Sequence, residues 1–389
     1  MHRFKSKHVP ALDGLRGLAI LLVIAHHQLI PFSVKGGFLG VDLFFVLSGF
    51  LITTLLVTEF ETTKTISFRN FYARRALRLG PALLVYLVVC LVVTYHSHLM
   101  ELTRELKLIG IALAYSTNWR MAFSWDTSLD PTAIIWSLSI EEQFYLLWPV
   151  LFLACLLVKF KRLHIVAVLS LAILSIFFHR YLLWRSGVEL NRLYYGTDTR
   201  ADAPLVGCLI ALIPAWRLSV SARKCLRMAG VLSALGLAYL VATVHFTDKV
   251  LYCGGYTGVA VMAGLLTWSA ANAPARMLAA CLESYPLRWL GKISYGLYLW
   301  HWLLLKTTTF YYLAGKGDPW VRFVVAIAVS ALSFYLIERP FTKLKTRFAH
   351  STGLADRSRI ASRSRVDMNE SVNHPLPTAA VIQSVGIKN

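Results

Sequence analysis

Acidic side chains are scarce in this chain. Its 389 residues include 20 Asp and Glu against 40 Lys and Arg, and 15% of positions are charged, where a soluble domain has about 25%. That deficit excludes an ordinary water-facing surface. Cysteine is present but unorganised: Cys90, Cys155, Cys208, Cys225, Cys253 and Cys281 are scattered without metal or redox spacing, so neither a metal site nor a disulfide framework is expected. No repeat of about 20–50 residues recurs, which argues against a solenoid. No second copy of the first half is visible either, as a transporter built from inverted repeats would show. The net charge of +20 comes without a zinc-finger, RNP or basic amphipathic pattern, so no nucleic-acid partner is expected.

What the chain does have is apolar length. Hydrophobic residues make up 57% of it and its mean hydropathy is +0.57, so its partner is the lipid bilayer. A spanning helix needs about 20 apolar residues, and such runs occupy 12–30, 38–59, 80–98, 134–158, 163–185, 201–216, 228–246, 251–271, 291–313 and 320–338. The reading is an all-α polytopic membrane helix bundle of about ten transmembrane helices. A further run, 108–118, is short and is read as interfacial or re-entrant. With that choice Arg69, Arg74, Arg75 and Arg78, then Lys159, Lys161 and Arg162, then Arg217, Arg223, Lys224 and Arg227 all fall on one side. The positive-inside bias makes that side cytoplasmic, together with both termini. The first apolar run carries Arg16 and lacks a small-residue cleavage site after it, so it is read as retained. Residues 1–11 form a cytoplasmic leader, 12–341 the membrane domain, and 342–389 a polar, disordered cytoplasmic tail.

Polar groups inside the apolar runs are few and sorted by depth. In the first span, LDGLRGLAILLVIAHHQL, Arg16 and His27 are eleven positions apart, which returns a helix to within roughly 20° of its starting direction and about 16 Å further along its axis. They share one face, whereas His26 points about 80° away from Arg16. Asp42 lies near the same depth as His27, and Glu141 and Glu142 lie roughly 10–12 Å into their span. Arg200 and Asp202 stand at the outer end of another, and His301 near the middle of a later one. Arg74, Arg75 and Arg78 precede the third span, Arg74 and Arg78 sharing a face at i, i+4. Each has a plainer reading: Arg16 snorkelling to the headgroups, the arginine cluster as an orientation signal, Asp42 as a helix cap, His301 as a hydrogen-bonded interior histidine. Two adjacent carboxylates within a membrane helix are harder to dismiss, because they need a cavity or a partner. Together the set suggests a polar tunnel with a cationic inner mouth and acid/base groups towards the outside.

Five segments, LDGLRGLAILLVIAHH, GFLGVDLFFVLSGFLI, FYARRALRLGP, WSLSIEEQFYLLWP and ISYGLYLWHW, followed by IERPF, resemble in order the acyltransferase-3 family of bacterial membrane acyltransferases. The resemblance runs from about Val9 to Phe341. It implies a multi-pass enzyme of the bacterial inner (cytoplasmic) membrane that takes an acyl group, most often acetyl, from cytosolic acyl-CoA (acetyl-CoA) to a hydroxyl on an acceptor outside. The family's acceptors include surface polysaccharide, lipopolysaccharide O-antigen, Nod factors and some macrolides. Longer relatives carry an SGNH-type domain after the membrane part, and this sequence resembles the stand-alone form.

The resemblance also suggests roles. Arg74, Arg75 and Arg78 would pair with the phosphates of CoA, since guanidinium binds phosphate bidentately and stays charged, and Arg16 would hold the donor further in. His27 would be the general base on the acceptor hydroxyl, a transient acyl-His being the competing version. Either Asp42 or Glu141 would orient the imidazole, Glu141 being the better match to the family's segment. Glu142, Arg200, Asp202 and His301 are candidate substrate contacts. The expected acceptor is a surface or lipid-linked glycan. A macrolide or other small metabolite is the alternative within enzymes, and a transporter or flippase for a lipid-linked sugar the alternative outside them.

Overall fold

The computed structural model describes residues 8–27, 34–97, 100–124, 130–306 and 319–344. The expectations for the tail after residue 344, most of the leader and the ends of the first and ninth spans lie outside the described residues. Within them all regular structure is helical. The order is α1 (Pro10–His26), a 3-10 turn at Gly37–Leu39, α2 (Gly40–Thr63), α3 (Phe68–Ser97), α4 (Leu102–Leu113), α5 (Thr117–Phe123) and α6 (Trp136–Leu157). Then follow α7 (Arg162–Arg185), α8 (Leu190–Tyr195), α9 (Thr197–Arg200), α10 (Asp202–Ala211), α11 (Val220–Thr243), α12 (Tyr256–Asn272), α13 (Arg276–Leu282), α14 (Tyr285–Lys306), α15 (Pro319–Ser333) and α16 (Arg339–Lys343).

The segments Gly37–Thr63, Phe68–Ser97, Ala133–Leu157, Arg162–Arg185, Val220–Thr243 and Trp320–Lys343 are each long and apolar enough to cross a membrane, and the chain is a multi-pass membrane protein. The other four expected spans coincide with α1, α10, α12 and α14. Two details depart from the expectation. The third span starts earlier than its apolar run, because α3 is continuous from Phe68 through Pro81; the proline removes one helical hydrogen bond without ending the helix, so Arg74, Arg75 and Arg78 ride on the membrane helix itself. The sixth is short: α9 and α10 run together through Ala201, and Pro214 lies just beyond their end, where proline disfavours continuation. Packed against α2, α7 and α12, α10 has its length set by protein neighbours rather than by lipid.

The run 108–118 divides between α4 and α5. The 12-residue α4 is about 18 Å long, too short for an apolar layer of about 30 Å, and Tyr115 ends it in the left-handed region at φ 50°. A second break is the wide turn Leu251–Gly255 ahead of α12, where Gly254 has φ 130°, a conformation only glycine adopts freely; there Phe177 packs against it.

At the centre α1 is embraced by α14, α2, α12 and α13. Its contact with α14 is backbone on backbone: a Cβ added at Gly17 would overlap the carbonyl oxygen of Leu287, and one at Gly291 would overlap that of Asp13. Small residues are how membrane helices come this close, since lipid supplies no hydrophobic drive between them. Large exposed side chains such as Leu84, Leu147, Leu171 and Leu235 line the outer faces of α3, α6, α7 and α11, as lipid contact requires.

Candidate active site

The α1–α14 contact sets the site's axis. Gly17 lies against Leu287 and His27 against His301, so the two helices run in the same direction. His27 is the C-cap residue of α1, and its N–H still bonds Val23 O at 3.1 Å, so its side chain leaves on the helical face expected from Arg16. His27 Nδ1 lies 3.1 Å from His301 Nε2, and His301 Nδ1 lies 2.8 Å from Leu297 O in its own helix. The Trp302 ring meets His27 edge-on, centroids 5.1 Å apart, while its indole nitrogen donates to Asp130 O at 3.0 Å. His26 turns aside to pack on Phe38, centroids 5.3 Å apart.

Below this pair, nearer the Arg16 end of α1, is a cavity of about 260 Å³ walled by α1, α2, α3, α6 and α14. Arg16, Arg75 and Arg78 bring three guanidinium groups to it. Their acidic partners are loosely held: Arg16 is 3.7 Å from Asp13 and Arg75 is 3.9 Å from Glu142. Arg74 behaves differently. It bonds Glu59 at 3.2 Å and does not line the cavity, so the residues that converge from α3 are Arg75 and Arg78, three apart, rather than the Arg74/Arg78 pair expected.

Glu141 reaches the same cavity from α6. It accepts hydrogen bonds from Ser48 Oγ at 2.9 Å and from the Tyr145 hydroxyl at 2.8 Å. Arg75 lies over that Tyr145 ring, 3.2 Å from its centroid. At the top, the Tyr298 hydroxyl bonds Ser137 Oγ at 2.6 Å and donates to Ile134 O at 3.0 Å. Tyr298 also touches His301, ring centroids 5.9 Å apart. The expected tunnel is thus a cavity closed by the Tyr298–Ser137 bond, with the histidine pair one helical turn beyond.

Neither carboxylate expected to orient His27 bonds to it. Glu141 is committed to Ser48 and Tyr145, and Asp42 to Arg200, Oδ1 to Nη2 at 2.8 Å. Asp42, Arg200 and Asp202 are each 1% exposed and belong to a buried, charge-balanced layer joining α2, α7, α9, α10 and α12. In it Arg180 Nη2 lies 3.0 Å from Asp202 Oδ2 and Thr257 donates to the same carboxylate at 2.6 Å. Arg200 lies 3.8 Å from the Tyr256 ring centroid. These groups saturate one another, so Arg200 and Asp202 clamp helices instead of presenting the substrate contacts expected of them. Glu142 faces Arg75 and helps to hold that side chain.

Sequence reasoning did not single out Ser48, Tyr145, Ser137, Tyr298, Trp302 or Arg180. Tyr145 follows Glu141 by four positions and Tyr298 precedes His301 by three, so helical neighbourhood was the available signal; Arg180 had none, its partner Asp202 being set by tertiary packing.

The chain matches the family model described as an acyltransferase domain over residues 9–339. It is 39% identical over 359 residues to the peptidoglycan O-acetyltransferase OatA of Listeria monocytogenes, covering 88% of this chain and 57% of that protein. It is 36% identical over 352 residues to a putative peptidoglycan O-acetyltransferase of Bacillus subtilis, covering 86% and 55%. With a putative O-acetyltransferase of Staphylococcus aureus it shares 33% identity over 358 residues, 87% of this chain and 58% of that one. The chain therefore spans just over half the length of these curated relatives. No solved structure matches it.

Proposed function

The chain belongs to the acyltransferase-3 family of membrane acyltransferases, and from that premise we propose that it is an O-acetyltransferase moving an acetyl group from acetyl-CoA to a glycan hydroxyl across the bacterial cytoplasmic membrane. The observation that carries this reading is the convergence of Arg16, Arg75 and Arg78 from two helices on one cavity that rises to Glu141 and Tyr298. Three guanidinium groups in a low-dielectric recess suit a polyanion, and arginine suits phosphate in particular. A space of about 260 Å³ is below the usual size of a drug-sized site, so it fits the slender pantetheine arm, with the nucleotide held at the cationic mouth.

In this reading Arg75 and Arg78 bind the donor's phosphates and Arg16 steadies the arm. The thioester passes Tyr298, whose hydroxyl must release Ser137 to let it reach the histidines. His27 takes the proton of the acceptor hydroxyl, the oxygen attacks the thioester carbonyl, the carbon–sulfur bond breaks, and the thiolate recovers the proton from the imidazolium. Trp302 limits how far the His27 ring can turn. The names of the relatives favour peptidoglycan over lipopolysaccharide as the kind of acceptor.

The test is purified protein in proteoliposomes given acetyl-labelled acetyl-CoA on the cytoplasmic face and peptidoglycan fragments on the other. Alkali-labile label on the glycan is the expected result. Glycan translocation driven by an ion gradient, with acetyl-CoA left intact, would overturn the reading in favour of a transporter.

A further inference from the structure

The hydrogen bonds of His301 determine which nitrogen of His27 is basic. His301 Nδ1 lies 2.8 Å from the carbonyl oxygen of Leu297; a carbonyl only accepts, so this nitrogen carries a hydrogen. The ring is fully buried and no carboxylate bonds to it among the described residues. A second proton would place an imidazolium in the protein interior without a bonded counter-charge, which is costly. His301 Nε2 therefore presents a lone pair, 3.1 Å from His27 Nδ1. Two lone pairs do not hold each other at that distance, so His27 Nδ1 is the donor and the basic lone pair of His27 is on Nε2.

We propose that His301 is the positioning residue of the reaction, a neutral imidazole that takes the place a carboxylate holds in a Ser-His-Asp triad. Leu297 O fixes its tautomer; it accepts from His27 Nδ1–H; and it supports the positive charge that forms when His27 Nε2 takes the acceptor's proton. The Nδ1 hydrogen stays on His27 throughout, and the proton gained at Nε2 leaves with the thiolate, so His301 neither gains nor loses a proton. An uncharged partner suits this place, because both nearby carboxylates are bonded elsewhere and a third buried anion would need its own cation. The proposal rests on His27 being the base of the transfer reaction.

The test uses the full chain in three forms: wild type, His301→Ala and His301→Gln. Nitrogen-15 NMR of histidine-labelled protein, with the His27 resonances assigned by their loss in His27→Asn, reads the tautomer directly. The expected wild-type signal is Nδ1–H. In kinetics, His301→Ala should lower kcat by about 10²-fold or more, the scale of a mispositioned base, with KM for acetyl-CoA changed by less than about twofold. Gln, whose amide oxygen can accept the same hydrogen bond, should restore most of kcat and the Nδ1–H signal. An Nε2–H signal for His27 in the wild type would overturn the proposal even if His301→Ala fails to fold, as would Ala and Gln variants with equal activity. Wild-type protein that shows the Nδ1–H signal but transfers no acetyl group would instead count against the proposed function alone.

Discussion

The guanidinium carbon of Arg75 sits 3.2 Å from the centre of the Tyr145 ring, and the hydroxyl of that ring donates to Glu141 at 2.8 Å. A cation, a phenol and a carboxylate thus form one wall of the cavity, and a change in any of them is felt by the other two. Arg75→Lys keeps the charge but loses the planar face and the bidentate fork. A desolvated cation–π contact is worth about 2 kcal/mol, so KM for acetyl-CoA should rise at least tenfold (~1.4 kcal/mol), with kcat less affected. Steady-state kinetics with the donor varied would check this.

The two adjacent histidines should separate cleanly. His27→Ala removes the group bonded to His301, and transfer should fall by about 10²-fold or more while the protein still inserts in the membrane. His26 packs on Phe38, and His26→Ala should be the milder change. Measuring acetyl transfer per unit of folded protein for both variants decides it; full activity in His27→Ala would remove that residue from the chemistry.

Asp42 and Glu141 should differ in kind. Asp42→Asn takes the counter-charge from Arg200, which is 1% exposed and already has Nε and Nη1 without hydrogen-bond partners. Breaking a buried pair in this way costs about 3–5 kcal/mol, so the folded yield and thermal midpoint in detergent should drop sharply. Glu141→Gln can still accept from Ser48 and Tyr145, so stability should change by about 1 kcal/mol while turnover falls. Thermal unfolding set beside activity distinguishes the two.

Glu105, on α4 and outside the membrane-spanning helices, supplies a pH dependence. It is fully buried and neither carboxylate oxygen has a hydrogen-bond partner. Burial, reinforced by the charge of Asp130, raises its pKa from 4.5 to about 7. Around it stand Tyr86 and Cys90 of α3, and Asp130, itself paired with Arg120. A raised folded-state value means the protonated acid favours folding, so this contribution is complete below pH 4.5 and is lost as pH rises through about 7. Glu105→Gln should therefore raise the thermal midpoint above neutral pH and leave it nearly unchanged in acid. Equal effects at both pH values would contradict the assignment.

How much was legible in the sequence depended on range. Hydropathy alone located the helices, because apolar length is a local property, and the eleven-residue interval placed Arg16 and His27 on one face of α1. The hydrogen-bond partners were not local. Asp42 and Arg200 are 158 positions apart and His27 and His301 are 274, and nothing in either sequence neighbourhood selects one partner over another. The depth argument brought imidazole and carboxylates to similar levels, but depth does not specify azimuth: Asp42 faces α9 and α10, and Glu141 faces α2. Pro81 within α3 and the brevity of α10 were likewise tertiary outcomes, where neighbouring helices overrode local preference.

The bare contact at Gly17 and Gly291 has a mechanical meaning. With no side chain between their backbones, α1 and α14 cannot slide or roll past each other without collision, and they act as a single riveted girder. The histidines are an anvil fixed at one end of it. The give needed to admit a long donor and release its spent thiol must then come from the opposite flank, where α3 and α6 carry Arg75, Arg78 and Tyr145 with one side turned to fluid lipid.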